Sequence, residues 1–170
     1  PIVDLYTNTT ADSQIIFVRL EDDVTFCYAT TTLELVVNPI PEVIIPSQLE
    51  ECDDDYDGID VFDLSLKTEE VLNGQTDVTV SYHESQEDAD ANSNPIVDLY
   101  TNTTADSQII FVRLEDDVTF CYATTTLELI VNPIPEVIVP PVIEVCDDDY
   151  DGISTFDLTA LDPIILNGQT

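Results

Sequence analysis

Apolar and polar residues alternate with period two along most of this chain, the spacing of a half-buried strand. From Asp77 to Glu84, Val78, Val80 and Tyr82 share one face, and Thr79, Ser81 and His83 the other. From Gln108 to Glu115, Ile110, Val112 and Leu114 fall together. From Thr124 to Asn132, Leu127, Leu129 and Val131 do so, with Thr126 and Glu128 outward. Thr, Val, Ile and Tyr suit a pleated surface packed on one side. Asn73-Gly74, Thr101-Asn102 and Asp116-Asp117 supply turns between these runs. Two short helical turns interrupt the pattern. One spans Ser65 to Leu72 and stops at Asn73-Gly74. The other follows Ser85, with acids in its first turn. On this face assignment His83, the single histidine, is expected at the surface.

The pattern occurs twice. With a shift of 94 residues, Pro1–Thr76 and Pro95–Thr170 agree at 61 of 76 positions, and the first 35 residues of each copy are identical. A period beyond the ~20–50 residues of solenoid repeats makes each unit a small domain with its own core. Prolines recur in Asn38-Pro39-Ile40-Pro41 and Asn132-Pro133-Ile134-Pro135. They stop strands and begin a stiff linker. Cut there, 42–135 is one complete repeat, 1–41 the back of the one before and 136–170 the front of the next. The chain thus reads as a window on a longer array. Six or seven short strands per unit predict an all-β fold of tandem immunoglobulin-like β-sandwich repeats.

Charge narrows the partners. Thirty-six acids against three bases give a formal net charge of −33. That repels nucleic acid and anionic membrane surfaces. No run approaches the ~18 apolar residues of a membrane span. The 44% hydrophobic content argues for folding despite the charge, and divalent cations are the natural counterions. No nucleophile, base and orienting acid recur together, so an enzyme is not expected.

Cys27 corresponds to Cys121, and Cys52 to Cys146. Two oxidised pairings are open. An intradomain bond joins Cys52 to Cys121 and leaves Cys27 and Cys146 to partners outside the window. A junction pairing joins Cys27 to Cys52 and Cys121 to Cys146. The first is favoured, because it closes a loop of about 70 residues worth ~4 kcal/mol in the chain-entropy view.

One chemical motif stands out. Asp53-Asp54-Asp55-Tyr56-Asp57-Gly58 recurs as Asp147-Asp148-Asp149-Tyr150-Asp151-Gly152. It reads as the D-x-D-x-D-G half of a calcium loop. Carboxylates at positions 1, 3 and 5 converge on a hard cation, and glycine at 6 permits the turn. The expected Ca²⁺ ligands are Asp53, Asp55, Asp57 and the carbonyl of Ile59, repeated as Asp147, Asp149, Asp151 and Ile153. At position 12 an EF-hand has Glu, and this chain has Leu64 and Leu158. Asp63 and Asp157, one residue earlier, are the substitutes. A second acidic group, Glu21-Asp22-Asp23 and Glu115-Asp116-Asp117, lies at a strand-to-strand turn; it reads as a plain hairpin turn ahead of a metal donor at a pole of the domain.

The strings from Leu49 to Leu64, Val71 to Gln75, Val78 to Glu84 and Cys121 to Pro135 resemble a repeat of very large secreted surface proteins of flavobacteria and other Bacteroidetes. The resemblance implies export by type IX secretion, a location outside the cell or on its surface, and a part in adhesion or gliding motility. The expectation is a calcium-stabilised structural repeat in a stiff adhesin or filament. Its partners would be neighbouring repeats, identical chains in a fibre, and surface glycans. The alternative is an array of carbohydrate-binding modules on a secreted enzyme or receptor, which needs an exposed aromatic platform.

Overall fold

The computed structural model describes residues 5–97, 99–147, 149 and 151–169. The alternating segments form strands: β1 (Ser13–Glu21), β2 (Tyr28–Val36), β3 (Leu49–Cys52), β4 (Val61–Phe62), β5 (Val78–His83), β6 (Tyr100–Thr101), β7 (Ser107–Asp116) and β8 (Tyr122–Asn132). Short helices are α1 (Thr68–Leu72), α2 (Gln86–Ala91) and α3 (Asp162–Leu166). The fold is sheet-rich with few helices.

Within 42–135 the main sheet has the order β3-β8-β7-β5. β5, β7 and β8 are antiparallel neighbours, and β3 adds to the β8 edge in parallel. Register brings Val80 beside Leu114, Tyr82 beside Val112, Ile110 beside Leu127 and Leu49 beside Leu129. One face is therefore apolar. The β4–β6 ladder, a 3-10 turn at Leu64–Lys67 and α1 cover it with Phe62, Tyr100, Leu64 and Val71. These residues form one buried cluster with Ile110, Val112, Leu114, Leu127, Leu129 and Val131.

The opposite face is not all solvent-facing, which corrects the placement of His83. It is 0% exposed. Its Nε2 pairs with the Ser81 hydroxyl at 2.9 Å and its Nδ1 with the Ser93 carbonyl at 2.8 Å. The cover comes from α2 and the segment after it. Ser85 caps α2 by accepting from Asp88 N–H, and Asn92 ends it in the left-handed region. Arg113 rises from the sheet under α2. It donates to the carbonyls of Ala89 and Asp90, pairs with Glu115, and lies 3.6 Å from the Tyr122 ring centre. Pairing and hydrogen bonds of this kind offset much of the desolvation cost of a buried guanidinium.

The β1–β2 hairpin repeats the β7–β8 register residue for residue. Leu20 and Leu33 are 77% and 49% exposed there, whereas their counterparts Leu114 and Leu127 are 0% exposed. Identical sequence thus forms the same hairpin with or without its covering layer. Strand pairing is local, whereas burial depends on the layer that packs over the sheet of 42–135.

The two ends of the repeat hold different parts. At the entry end, Glu42 N–H donates to Gln75 Oε1, and Gln75 Nε2 donates to the Glu42 carbonyl, both at 2.9 Å. Asp117 N–H donates to the Asp77 carbonyl, and Asp116 N–H to the Cys121 carbonyl. Glu42, Gln75, Asp77 and the β7–β8 tip with Cys121 therefore share one end. At the exit end, Cys52 lies beside Asn132.

Candidate functional site at the repeat junction

The exit end is built around Asp53. β3 continues for one bond past its last residue, with Asp53 N–H donating to the Asn132 carbonyl at 2.8 Å. The chain then turns sharply. Asp53 Oδ1 accepts from the N–H of Asp55 and Tyr56, and Oδ2 accepts from Gly58 N–H at 2.9 Å. Asp53 is buried. Burial opposes its ionisation, but N–H donors from Gly58, Asp55, Tyr56 and Asp57 outweigh that and hold the carboxyl below its ordinary range.

Gly58 is fixed by geometry. Its φ of +75° favours glycine, and a Cβ there would meet Asp106 Oδ1 at 2.8 Å and Asp106 N at 2.9 Å. The close approach has a purpose. The Gly58 carbonyl accepts from Asp106 N–H and from the buried Asn102 Nδ2, and Asn102 Oδ1 accepts from Asp60 N–H. Asn102, which the sequence marks only as a turn residue, anchors the acidic loop to the β6–β7 connection.

Asp53, Asp55 and Asp57 each offer a carboxylate oxygen within 4.8 Å of the others, and Asp147, Asp149 and Asp151 do the same. Asp55 is pushed up, first by the charge of Asp57 and then by burial. Like charges held this close favour a proton or a cation between them. Oxygen-only donors suit a hard cation, so these residues fit calcium. Ile59 and Ile153 stand at the loop exits, with N–H groups donating to Asp57 and Asp151 Oδ1, each at 2.7 Å.

Asp63 and Asp157 lie outside the two carboxylate clusters. Asp63 Oδ1 accepts from the N–H and hydroxyl of Ser65, and Asp157 Oδ1 from those of Thr159. By position 11 the chain has passed β4 and started a helical turn, where each Asp serves as a cap or leads into one. The Glu115–Asp117 group ends β7 and opens the hairpin turn to β8. Asp116 Oδ1 accepts from Val118 N–H, Thr119 N–H and the Thr119 hydroxyl, which hold its carboxyl below the ordinary range.

The loop conformation is encoded locally. In the second copy Gly152 N–H again donates to Asp147 Oδ2 at 2.9 Å and Asp149 N–H to Asp147 Oδ1 at 3.2 Å. No strand is formed by the residues just before it. Asp148 and Tyr150 lie outside the described residues.

The loop also reaches the linker. Tyr56, between two of the acids, donates its hydroxyl to the Pro135 carbonyl at 3.3 Å. On the other side Glu136 N–H donates to Gln169 Oε1, and Gln169 Nε2 donates to the Glu136 carbonyl, both at 2.9 Å. The Pro135 carbonyl and the Glu136 N–H belong to one peptide group. That group is held from one side by Tyr56 of the acidic loop and from the other by Gln169. No signal in the sequence marks Tyr56 or Gln169 for this task.

The cysteines do not meet within the repeat, which corrects the Cys52–Cys121 pairing. Cys52 lies beside Asn132 at one end of β8, and Cys121 just precedes Tyr122 at the other. Eleven residues of strand separate them, about 36 Å at ~3.3 Å per residue, whereas a disulfide spans roughly 4.4–6.8 Å between Cα atoms. Cys52 is exposed and Cys121 half-buried, and Cys27 and Cys146 are exposed.

Residues 42–135 thus form a sheet-rich unit with Cys52 and Cys121 at opposite ends of β8. The chain belongs to the family described as the Flavobacterium inter-domain disulphide bond domain, which matches residues 1–41 and 48–135. No curated protein and no solved structure shows significant similarity to it. No helix among the described residues is long and apolar enough to cross a membrane.

Proposed function

We propose that this chain is a structural segment of a secreted surface adhesin or filament, built from immunoglobulin-like sandwich repeats and stiffened at each junction by calcium. The observation that carries the reading is the shared peptide group at Pro135–Glu136, gripped by Tyr56 on one side and Gln169 on the other. A linker meant to swing would leave its peptide groups to water. Here the Pro-Ile-Pro segment is short, stiff and tied to both neighbours.

Calcium adds to the same junction. Held by Asp53, Asp55 and Asp57, it would supply positive charge where three carboxylates converge, and so fix the loop that carries Tyr56. The main sheet is one layer of the sandwich, and the β4–β6 ladder with α1 is the reduced second layer. The role is mechanical rather than catalytic. Export by type IX secretion and a part in gliding belong to the same reading.

The test is thermal unfolding of the chain with millimolar calcium and with chelator. A rise of several degrees with calcium is expected for the complete repeat. Superimposable curves would remove the metal. Electron microscopy of the native array should show single beaded rods. Laterally bundled strands or collapsed coils would count against the rod.

A further inference from the structure

We propose that copies of this chain join head to tail, residues 136–170 of one copy packing over the β1–β2 hairpin of another. The joint is non-covalent and needs neither calcium nor a surface role.

The template is inside the molecule. In 42–135 the apolar face of β7–β8 is covered by Phe62, Leu64 and Val71, and β3 adds to the β8 edge. All of that cover comes from residues 42–76. Residues 13–35 repeat 107–129 without a difference and in the same register. Val18, Leu20 and Leu33 are exposed there, where Val112, Leu114 and Leu127 are buried. Residues 136–170 repeat the cover. Phe156, Leu158 and Ile165 stand at the positions of Phe62, Leu64 and Val71, and Ile143 at that of Leu49. The helical turn at Thr159–Leu161 and α3 repeat the turn at Leu64–Lys67 and α1, and Asn167 ends α3 in the left-handed region as Asn73 ends α1. Yet Phe156 is 45% exposed and Leu158 67%, against 0% and 2% for Phe62 and Leu64. Among the described residues, one part of the chain is a sheet face without its cover and another is the cover without a sheet.

The fit extends past the apolar core. The Gly58 carbonyl seats on Asp106 N–H and Asn102 Nδ2. Gly152 keeps the conformation, with φ +76°, but a Cβ there meets nothing within 4 Å. The counterparts of its seat, Asn8 and Asp12, are on the hairpin part, and Asp12 has φ +62° where Asp106 has +67°. Residues 143–146 form no strand. On docking they would pair with 35–38 as β3 pairs with 129–132. The two parts attach at opposite ends of 42–135, separated by the length of β8, so the occupant is a second copy. Each copy uses a different face, and such a joint propagates into a line or closes into a ring. Residues 77–94, which give β5 and α2 in the complete repeat, have no counterpart in either part. The joint is therefore weaker than the repeat it imitates, and reversible. Each copy also carries a net charge of −33, so association tightens as salt screens the repulsion.

Sedimentation equilibrium of the reduced chain in chelator and about 0.3 M salt, where repulsion between copies is screened, tests the joint. The parent should associate reversibly in steps of one chain mass, and more strongly as salt is raised. Leu33→Glu spoils the face and Phe156→Glu the cover, while their counterparts Leu127 and Phe62 keep 42–135 intact. Melting of 42–135 should be the same in both variants. Each variant alone should be monomeric. An equimolar mixture should form a dimer and nothing larger, because one sound face and one sound cover remain. A chain extended at Thr170 with a second copy of residues 77–135 completes its own last repeat. It should be monomeric, yet still accept the Leu33→Glu chain. A parent that stays monomeric at millimolar concentration, a variant or extended chain that associates with itself, or a mixture that stays monomeric overturns the proposal.

Discussion

Asp53 and Asp55 are two residues apart and have opposite relations to their surroundings. Asp53 is stabilised as an anion by backbone donors, while Asp55 is destabilised by Asp57. The signs follow from linkage. Asp53, with its pKa lowered in the folded state, contributes stability that is present above its ordinary 3.8 and lost as pH falls through the lower folded value. Asp55, with its pKa raised, is unfavourable when ionised, so the metal-free fold gains as pH falls through a value above 3.8. Mild acid should therefore raise the melting temperature in chelator, and stronger acid lower it. With calcium present, mild acid should lower the melting temperature instead, because protons compete for the ligand. Asp55→Asn should raise the chelator melting temperature and weaken both mild-acid responses. Asp53→Asn should lower it under both conditions, since an amide cannot accept all three N–H groups. Melting temperatures across pH 3–7 read the comparison, and equal slopes with and without metal would sink the loop as a calcium site.

At the scale of elements, the loop and its platform account for the difference between two glycines. Gly58 and Gly74 both have positive φ, +75° and +79°. Space separates them: a Cβ at Gly74 meets nothing within 4 Å, and one at Gly58 meets the Asp106 backbone. Gly74→Ala should cost about 1 kcal/mol, the left-handed penalty alone. Gly58→Ala should cost about 3 kcal/mol, because Asp106 must also move. Denaturant unfolding measures both, and equal costs would mean that the loop is not seated on the β6–β7 connection. The same contrast explains what was legible beforehand. The long strands, the stop at Asn73-Gly74 and the Ser85 cap are written in local periodicity and local hydrogen bonding, so β5, β7, β8, α1 and α2 fall where the pattern puts them. So does the acidic loop, whose bonds close within six residues. Non-local placement was not legible. A period-two pattern says that Ser81 and His83 share a face, not that α2 will cover it. Nor does it say that β3 joins β8 in parallel, and that register is what puts Cys52 and Cys121 at opposite ends.

For the whole molecule, stiffness depends on how many bonds fix the linker from each side. Tyr56 contributes one hydroxyl at an exposed position, so Tyr56→Phe should change the melting temperature little, by at most ~0.5 kcal/mol in stability. Its effect should appear in shape. In the chain extended at Thr170 with a second copy of residues 77–135, two complete repeats flank Pro135–Glu136. Small-angle scattering of the reduced protein in calcium should give one well-defined separation between them. Tyr56→Phe should broaden that separation, and Gln169→Ala should broaden it from the other side by freeing both Glu136 bonds. If calcium acts through the loop, chelation should mimic Tyr56→Phe and add little to it. If the separation is already broad in the parent, or unmoved by either substitution, the junction is not stiffened by these bonds, and the linker prolines would alone carry the rigidity of the linker.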